Sequence, residues 1–242
     1  MKERIFMKIY IVSASRATDF YWKDELKGYK TIIDGNPIEV ELKLYENNST
    51  PIGIIYNKAI EELKDIADYI VFLHYDVIVK SVKTFIEAIV KADGDLLGAA
   101  GAIKFTDPDF RPISWFTNSR WNPGAGEKIM QAGEIWHKLN PGEPARLNLY
   151  GNNKSAKNCV AIDGLCLIFT KKLIEDESIR FDENYKFDLY DFDISRQVRE
   201  KGYRIDVIDL GGLIHFSAGL GINKESYLVD QQKFLDKWGS VR

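Results

Sequence analysis

The stretch Tyr69–Val79, YIVFLHYDVIV, constrains this chain more than any other. It begins with an apolar, β-branched run of Ile70, Val71, Phe72 and Leu73, without polar alternation. Such a run fits a strand covered on both faces, in the middle of an α/β sheet. Polarity then breaks in with His74 and, two residues on, Asp76. At the end of a core strand these groups cost desolvation energy unless something there uses them. Ligands of open α/β sheets bind in the crevice beyond the carboxyl ends of the strands. If the strand persists through Asp76, both side chains leave by one face and suit a divalent cation shared with a phosphate-bearing substrate. A polar strand end meeting solvent is the competing account.

At 242 residues the chain has room for one large α/β domain with a sizeable insertion, and we read residues 1–242 as that single domain. A formal charge of −3 gives no basic field with which to hold nucleic acid by its phosphates. Cys159 and Cys166 lack metal or redox spacing and sit in an apolar stretch, as free thiols do in a reducing cytosol. We therefore expect a cytoplasmic protein. No run reaches the roughly 18 apolar residues of a membrane span, and the opening MKERIFMKIY is too short in its apolar part for a signal peptide.

Taken in order, residues 7–13 predict a first strand, and Ser13, Ser15 and Arg16 at its terminus could receive a nucleotide or form a plain strand-to-helix turn. Residues 38–45 alternate as a second strand, with Glu46 at its end. An acid there can accept from a ribose or a base, although a solvated loop carboxylate looks the same. Neither GxGxxG nor GxxxxGK[ST] occurs, which argues against a nicotinamide enzyme and excludes a P-loop. A helix is predicted over 54–67, with Asn57 and Lys58 in its first turn, and another follows the Tyr69–Val79 stretch. Residues 95–103 read as one further strand. Residues 104–158 change character, with five of the seven prolines and Trp115, Trp121 and Trp136. Long irregular segments are commonly lids or binding loops, and exposed tryptophans offer faces to sugar rings or pin the loop to the body. Residues 159–169 return to strand character, interrupted by Asp163-Gly164, which suggests a bend or bulge. A helix over 191–201 begins with Asp191 and Asp193, either functional acids or caps, and stops at Gly202. His215 ends a last apolar approach, and an amphipathic helix carrying Tyr227, Phe234, Leu235 and Trp238 closes the chain.

Several stretches together, YNKAIEE (56–62), FLHYDV (72–77), AIDGLCLIFTKK (161–172), residues 180–208 and LIHFSAG (213–219), resemble a GT-A-fold glycosyltransferase of the family 2-like group. The resemblance runs from about Ile9 to Trp238 and is weakest over 104–158. It implies an α/β, GT-A fold: a Rossmann-like nucleotide-binding domain with a central mixed, mostly parallel sheet and an acceptor-side insertion. Asp76 matches the last acid of the family's metal-binding DxD motif, and His215 matches the distal histidine of that site. His74 stands where the first acid often occurs. A His–Asp–His set is softer than an all-oxygen site and favours Mn²⁺ over Mg²⁺. By the same resemblance Asp191 lies in the acidic base motif, with Asp193 beside it. Ser13, Glu46 and Asn57 fall at the nucleotide half of the donor, and Asp163 and Gly164 fall beside donor sugar and acceptor.

The reaction so implied is metal-dependent, inverting transfer of a sugar from a nucleotide-sugar, UDP-linked or similar, to an acceptor hydroxyl of a glycan or surface polysaccharide. Sugar transfer to modified nucleic acid or protein is a second reading, the nucleic-acid version weakened by the acidic balance. A nucleotide-sugar binding module without turnover is a third, and Asp191 with His215 argues against it.

Overall fold

The computed structural model describes residues 6–16, 20, 23–106, 129–138, 144–149, 153–216 and 224–239. The N-terminal half contains β1 (Met7–Ala14), α1 (Lys23–Leu26), β2 (Lys30–Ile33), β3 (Asn36–Tyr45) and α2 (Ile52–Leu63). It continues through β4 (Tyr69–Leu73), β5 (Val77–Val79), α3 (Val82–Lys91), β6 (Leu96–Gly98) and β7 (Ala100–Phe105). After β8 (Ile129–His137), β9 (Arg146–Leu149), β10 (Ala161–Ile162) and β11 (Cys166–Thr170) comes α4 (Lys171–Glu175). The chain ends with α5 (Tyr190–Glu200), β12 (Ile205–Val207), β13 (Leu213–His215) and α6 (Lys224–Trp238).

The apolar run at 70–73 takes the position its composition demands. β4 is the middle of a seven-stranded sheet of order β12-β6-β11-β4-β1-β3-β2, and Ile70 to Leu73 are fully buried. The sheet is mixed and mostly parallel: β12, β6, β4, β1 and β3 run one way, while β11 and β2 oppose their neighbours. Tyr56 of α2 packs on Phe72 with ring centroids 4.4 Å apart, and Phe169 and Phe181 each lie 5.2 Å from Phe72. These edge-on and tilted rings tie one helix and the 181 loop to the sheet.

A second sheet, of order β10-β7-β8-β13-β5 with β9 beside β8, has no counterpart in the sequence reading. Three segments each divide between the two sheets: two that read as single strands, and 159–169, where a bend or bulge was expected. The Tyr69–Val79 stretch leaves β4 at His74 and re-enters as β5. Residues 95–103 divide at Ala99, and 159–169 divide at Asp163–Leu165. The crossings are tied together, since His74 N–H donates to Leu165 O at 3.1 Å and Asp163 N–H to Ala100 O at 2.9 Å. The expected continuous strand through His74 and Asp76 is therefore corrected: the two residues are placed together by a turn, not by strand alternation.

Two smaller departures and one agreement follow from local chemistry. Helix α2 begins at Ile52, earlier than expected, so Lys58 lies beyond its first turn and stacks over the Tyr45 ring at 5.8 Å. A β2–β3 hairpin turns at Asp34 and Gly35, both at positive φ (49° and 82°), as a two-residue Asp-Gly turn requires. Gly202, at φ 78°, ends α5 as expected.

Candidate active site

The sheet crossings gather the chain's charged and polar exceptions into one place. His74 follows the end of β4, Asp76 precedes β5, and His215 ends β13, directly opposite Val77 of β5. His74, Asp76 and His215 each offer a ligand atom within 4.8 Å of the other two, so the three could hold a metal ion. Asp76 Oδ1 is buried without a hydrogen-bond partner, and His215 Nε2 stands 3.5 Å from it. A carboxylate oxygen with no donor is costly inside a protein and suits a cation. Two imidazoles and one carboxylate match the donor preference of a borderline divalent ion, so the residues present fit the metal that the resemblance implies.

The protonation states agree with ligation. Burial pushes His74 down to about 4, helped by His215 and opposed by Asp76. Its ring is therefore neutral near pH 7 and keeps a lone pair. Burial opposes ionisation of Asp76, but the neighbouring His215 and His74 outweigh it and hold the carboxyl below its usual range.

Tyr190 joins this group to Asp191. Its hydroxyl donates to Gly164 O at 3.1 Å and lies 3.0 Å from His74 Nε2. With the phenolic proton on Gly164 O, His74 donates from Nε2 and Nδ1 becomes its lone-pair nitrogen. Gly164 N–H donates to Asp191 Oδ2 at 2.9 Å, and Phe192 N–H donates to Oδ1 at 2.8 Å. Asp191 is 7% exposed, and Ser195 one turn later fastens Asp191 O and Ile162 N–H to each other. Asp163 Oδ1 accepts from Leu165 N–H at 3.0 Å, while burial, with the Asp191 charge second, pushes Asp163 up to about 7.

Asp193 faces the other way. Fully buried, it accepts from Gln197 Nε2 at 2.7 Å, Trp238 Nε1 at 2.7 Å and Lys237 Nζ at 3.1 Å, which fastens α6 to α5. The N-cap is Leu189, at φ 62°, with no side-chain cap bond; Asp191 Oδ1 takes up the first-turn Phe192 N–H, whereas Asp193 bonds to side chains. Of the two acids, only Asp191 bonds into the His74–Gly164 group.

Ser13 and Glu46 lie at the carboxyl-terminal ends of β1 and β3, on the same sheet edge as His74. Ser13 Oγ is buried with no hydrogen-bond partner, and Glu46 is exposed. Asn57 is elsewhere engaged: its amide donates to Phe181 O at 2.8 Å and accepts from Phe181 N–H at 2.9 Å, a two-point clamp on backbone. Trp115 and Trp121 lie outside the described residues. Trp136, on β8, carries Lys80 over its ring at 4.4 Å. His137 stands opposite His215 in parallel register, ring centroids 5.5 Å apart.

Sequence reading missed the part played by Tyr190, because its helical spacing alone explains it as core. It also missed Phe187 and Asp188 on the approach to α5. Phe187 is 52% exposed with its ring centroid 6.1 Å from that of His74. Asp188 is half-buried, and burial, with Asp230 and Asp191 nearby, pushes it up to about 6.

Residues 35–238 match the sequence profile of a glycosyltransferase-like family. The chain belongs to that glycosyltransferase-like family. Its mixed sheet, parallel but for β11 and β2, is that of a GT-A-like α/β fold. No curated protein matches this glycosyltransferase-like chain. Similar solved structures include A197 from STIV, at 10% identity and TM-score 0.40, covering 83% of this chain and 81% of that one. The inositol-1-phosphate CTP transferase from T. maritima gives 11% identity and TM-score 0.39, covering 96% and 97%. Residues 1–349 of S. aureus TarS give 13% and 0.36, covering 86% and 60%. At these values the likenesses carry no functional information. No helix among the described residues is long and apolar enough to cross a membrane.

Proposed function

We propose that this chain is a metal-dependent, inverting glycosyltransferase that moves one sugar from a nucleotide-sugar to an acceptor hydroxyl, with a glycan such as surface polysaccharide as acceptor. The observation that carries this reading is the linkage of a metal-capable His74–Asp76–His215 group to Asp191 through Tyr190 and Gly164. His74, Asp76 and His215 would hold Mn²⁺ or Mg²⁺. When bound, such an ion offsets the negative charge that a departing nucleoside diphosphate acquires. Asp191 takes the proton from the acceptor hydroxyl as general base, with Gly164 N–H and Phe192 N–H fixing its orientation. Ser13 and Glu46 meet the nucleoside half at the edge of β1 and β3, and Asp163 and Gly164 border the sugar. Asn57 contributes by holding the 181 segment rather than by offering its amide.

The test is release of nucleoside diphosphate from a panel of nucleotide-sugars, with Mn²⁺, with Mg²⁺ and with chelator. Metal-dependent turnover is expected. Asp191→Asn should lower it by about 10²–10⁴, the usual worth of a positioned base, with donor binding retained. Turnover that ignores both chelator and the Asp191 substitution would overturn the reading.

A further inference from the structure

The loop before α5 displays an exposed aromatic ring on a backbone held with unusual care. Lys186, Phe187 and Asp188 all direct their N–H groups to one oxygen, Asp230 Oδ2, at 3.0, 3.4 and 3.3 Å. Asp230 belongs to α6, is fully buried, and meets Lys233 Nζ at 2.8 Å through its other oxygen. A buried carboxylate spent on three consecutive amides fixes the loop's conformation before any ligand arrives. The ring so fixed is nonetheless 52% exposed, with centroids 6.1 Å from His74 and 6.4 Å from Tyr190. Its neighbour Asp188 is half-buried, and among the described residues its carboxylate makes no hydrogen bond or ion pair.

An aromatic face beside an uncommitted carboxylate is the chemistry that a pyranose ring matches: C–H groups on the ring face, hydroxyls to the carboxylate. We propose that Phe187, with Asp188 beside it, is a stacking platform for a pyranose ring at the mouth of the His74–Asp76–His215 group. This inference rests on the sugar transfer proposed above. The pyranose is either the donor's sugar or the acceptor's terminal residue, and the two sources present the same face.

Saturation-transfer NMR distinguishes them. One arm titrates the full-length protein with methyl α- and β-glycosides of glucose, galactose and N-acetylglucosamine. The other uses UDP-glucose, UDP-N-acetylglucosamine and GDP-mannose with Mg²⁺, comparing sugar-ring protons with nucleoside protons. The expected result is a roughly tenfold weaker Kd in Phe187→Ala, the size that loss of an aromatic contact gives, with binding restored in Phe187→Trp. Loss confined to the methyl glycosides assigns the acceptor's ring; loss of saturation at the donor's sugar, with nucleoside contacts kept, assigns the donor's. Because the side chain is exposed, an unchanged melting temperature in Phe187→Ala checks that the fold is intact. Equal binding by wild type and Phe187→Ala, with nucleotide-sugar turnover present, overturns the platform alone. Absence of both turnover and sugar binding in the wild type overturns the platform together with the proposed function.

Discussion

Gly164→Ala probes the candidate site through space alone. A Cβ at Gly164 falls 2.3 Å from Tyr190 Oη, 2.6 Å from its Cζ and 3.2 Å from Asp191 Cβ. Gly164 is not among the glycines at positive φ, so alanine meets no backbone penalty there. Tyr190 cannot swing aside freely, because Tyr56, Phe181 and Phe187 surround its ring at 6.1–6.4 Å between centroids. Forcing a methyl into such a packed site costs about 1–3 kcal/mol. If the phenol moves, its contacts with Gly164 O and His74 go too, at about 0.5–1.5 kcal/mol each. The sum is about 2–6 kcal/mol, and at roughly 2–4 °C per kcal/mol for a chain of this size the melting temperature falls by about 4–24 °C. Calorimetric melting of the two proteins, alongside nucleotide-sugar turnover, measures both effects. A variant that melts with the wild type and turns over normally refutes the placement of Tyr190 against Gly164.

Asp76→Ala should abolish metal-dependent binding of UDP in calorimetric titration while the protein stays folded; an unchanged affinity would remove Asp76 from the metal group. Asp193→Ala should cost about 3 kcal/mol, at the lower end for a broken buried pair because Lys237 can still reach Asp182 at 2.8 Å; urea unfolding measures it, and no loss would mean that α6 is not held there. Cys159 and Cys166 should resist iodoacetamide at pH 7.5 and react once urea unfolds the chain. Burial pushes the Cys159 thiol up to about 11 and the Cys166 thiol further, so little thiolate exists at that pH. Rapid labelling of the native protein would contradict their burial.

The sequence told most where its residues were out of place. His74, Asp76 and His215 follow or end apolar runs, and among the described residues they are the three that could share an ion. The two-sheet arrangement was hidden for a physical reason. Both sheets enclose apolar side chains, so apolar runs flank each crossing on both sides, and the bends after Leu73 and at Ala99 read as parts of continuous strands, while Asp163-Gly164 did read as a bend. The small residue Ala99 marked the second bend, but small residues also occur in straight strands. Asp34-Gly35 between KTII and NPIEV was a readable hairpin signal, since both positions take positive φ. The separation of Asp191 from Asp193 could not be read locally. Two residues apart on a helix they point about 200° from each other, and only the position of α6 decides which one is consumed as structure.

The order of strands in the larger sheet has a consequence for how the protein is made. β4 lies between β1, which precedes it, and β11, whose residues are synthesised much later. Until Cys166–Thr170 leaves the ribosome, one edge of the most apolar strand has no partner, and an unpaired apolar edge invites pairing with another chain. β6 waits likewise for both neighbours, β11 and β12. The nascent chain thus holds an incomplete sheet through most of its synthesis, and slow translation across 104–158 would lengthen the time during which a chaperone or a neighbouring copy can reach it.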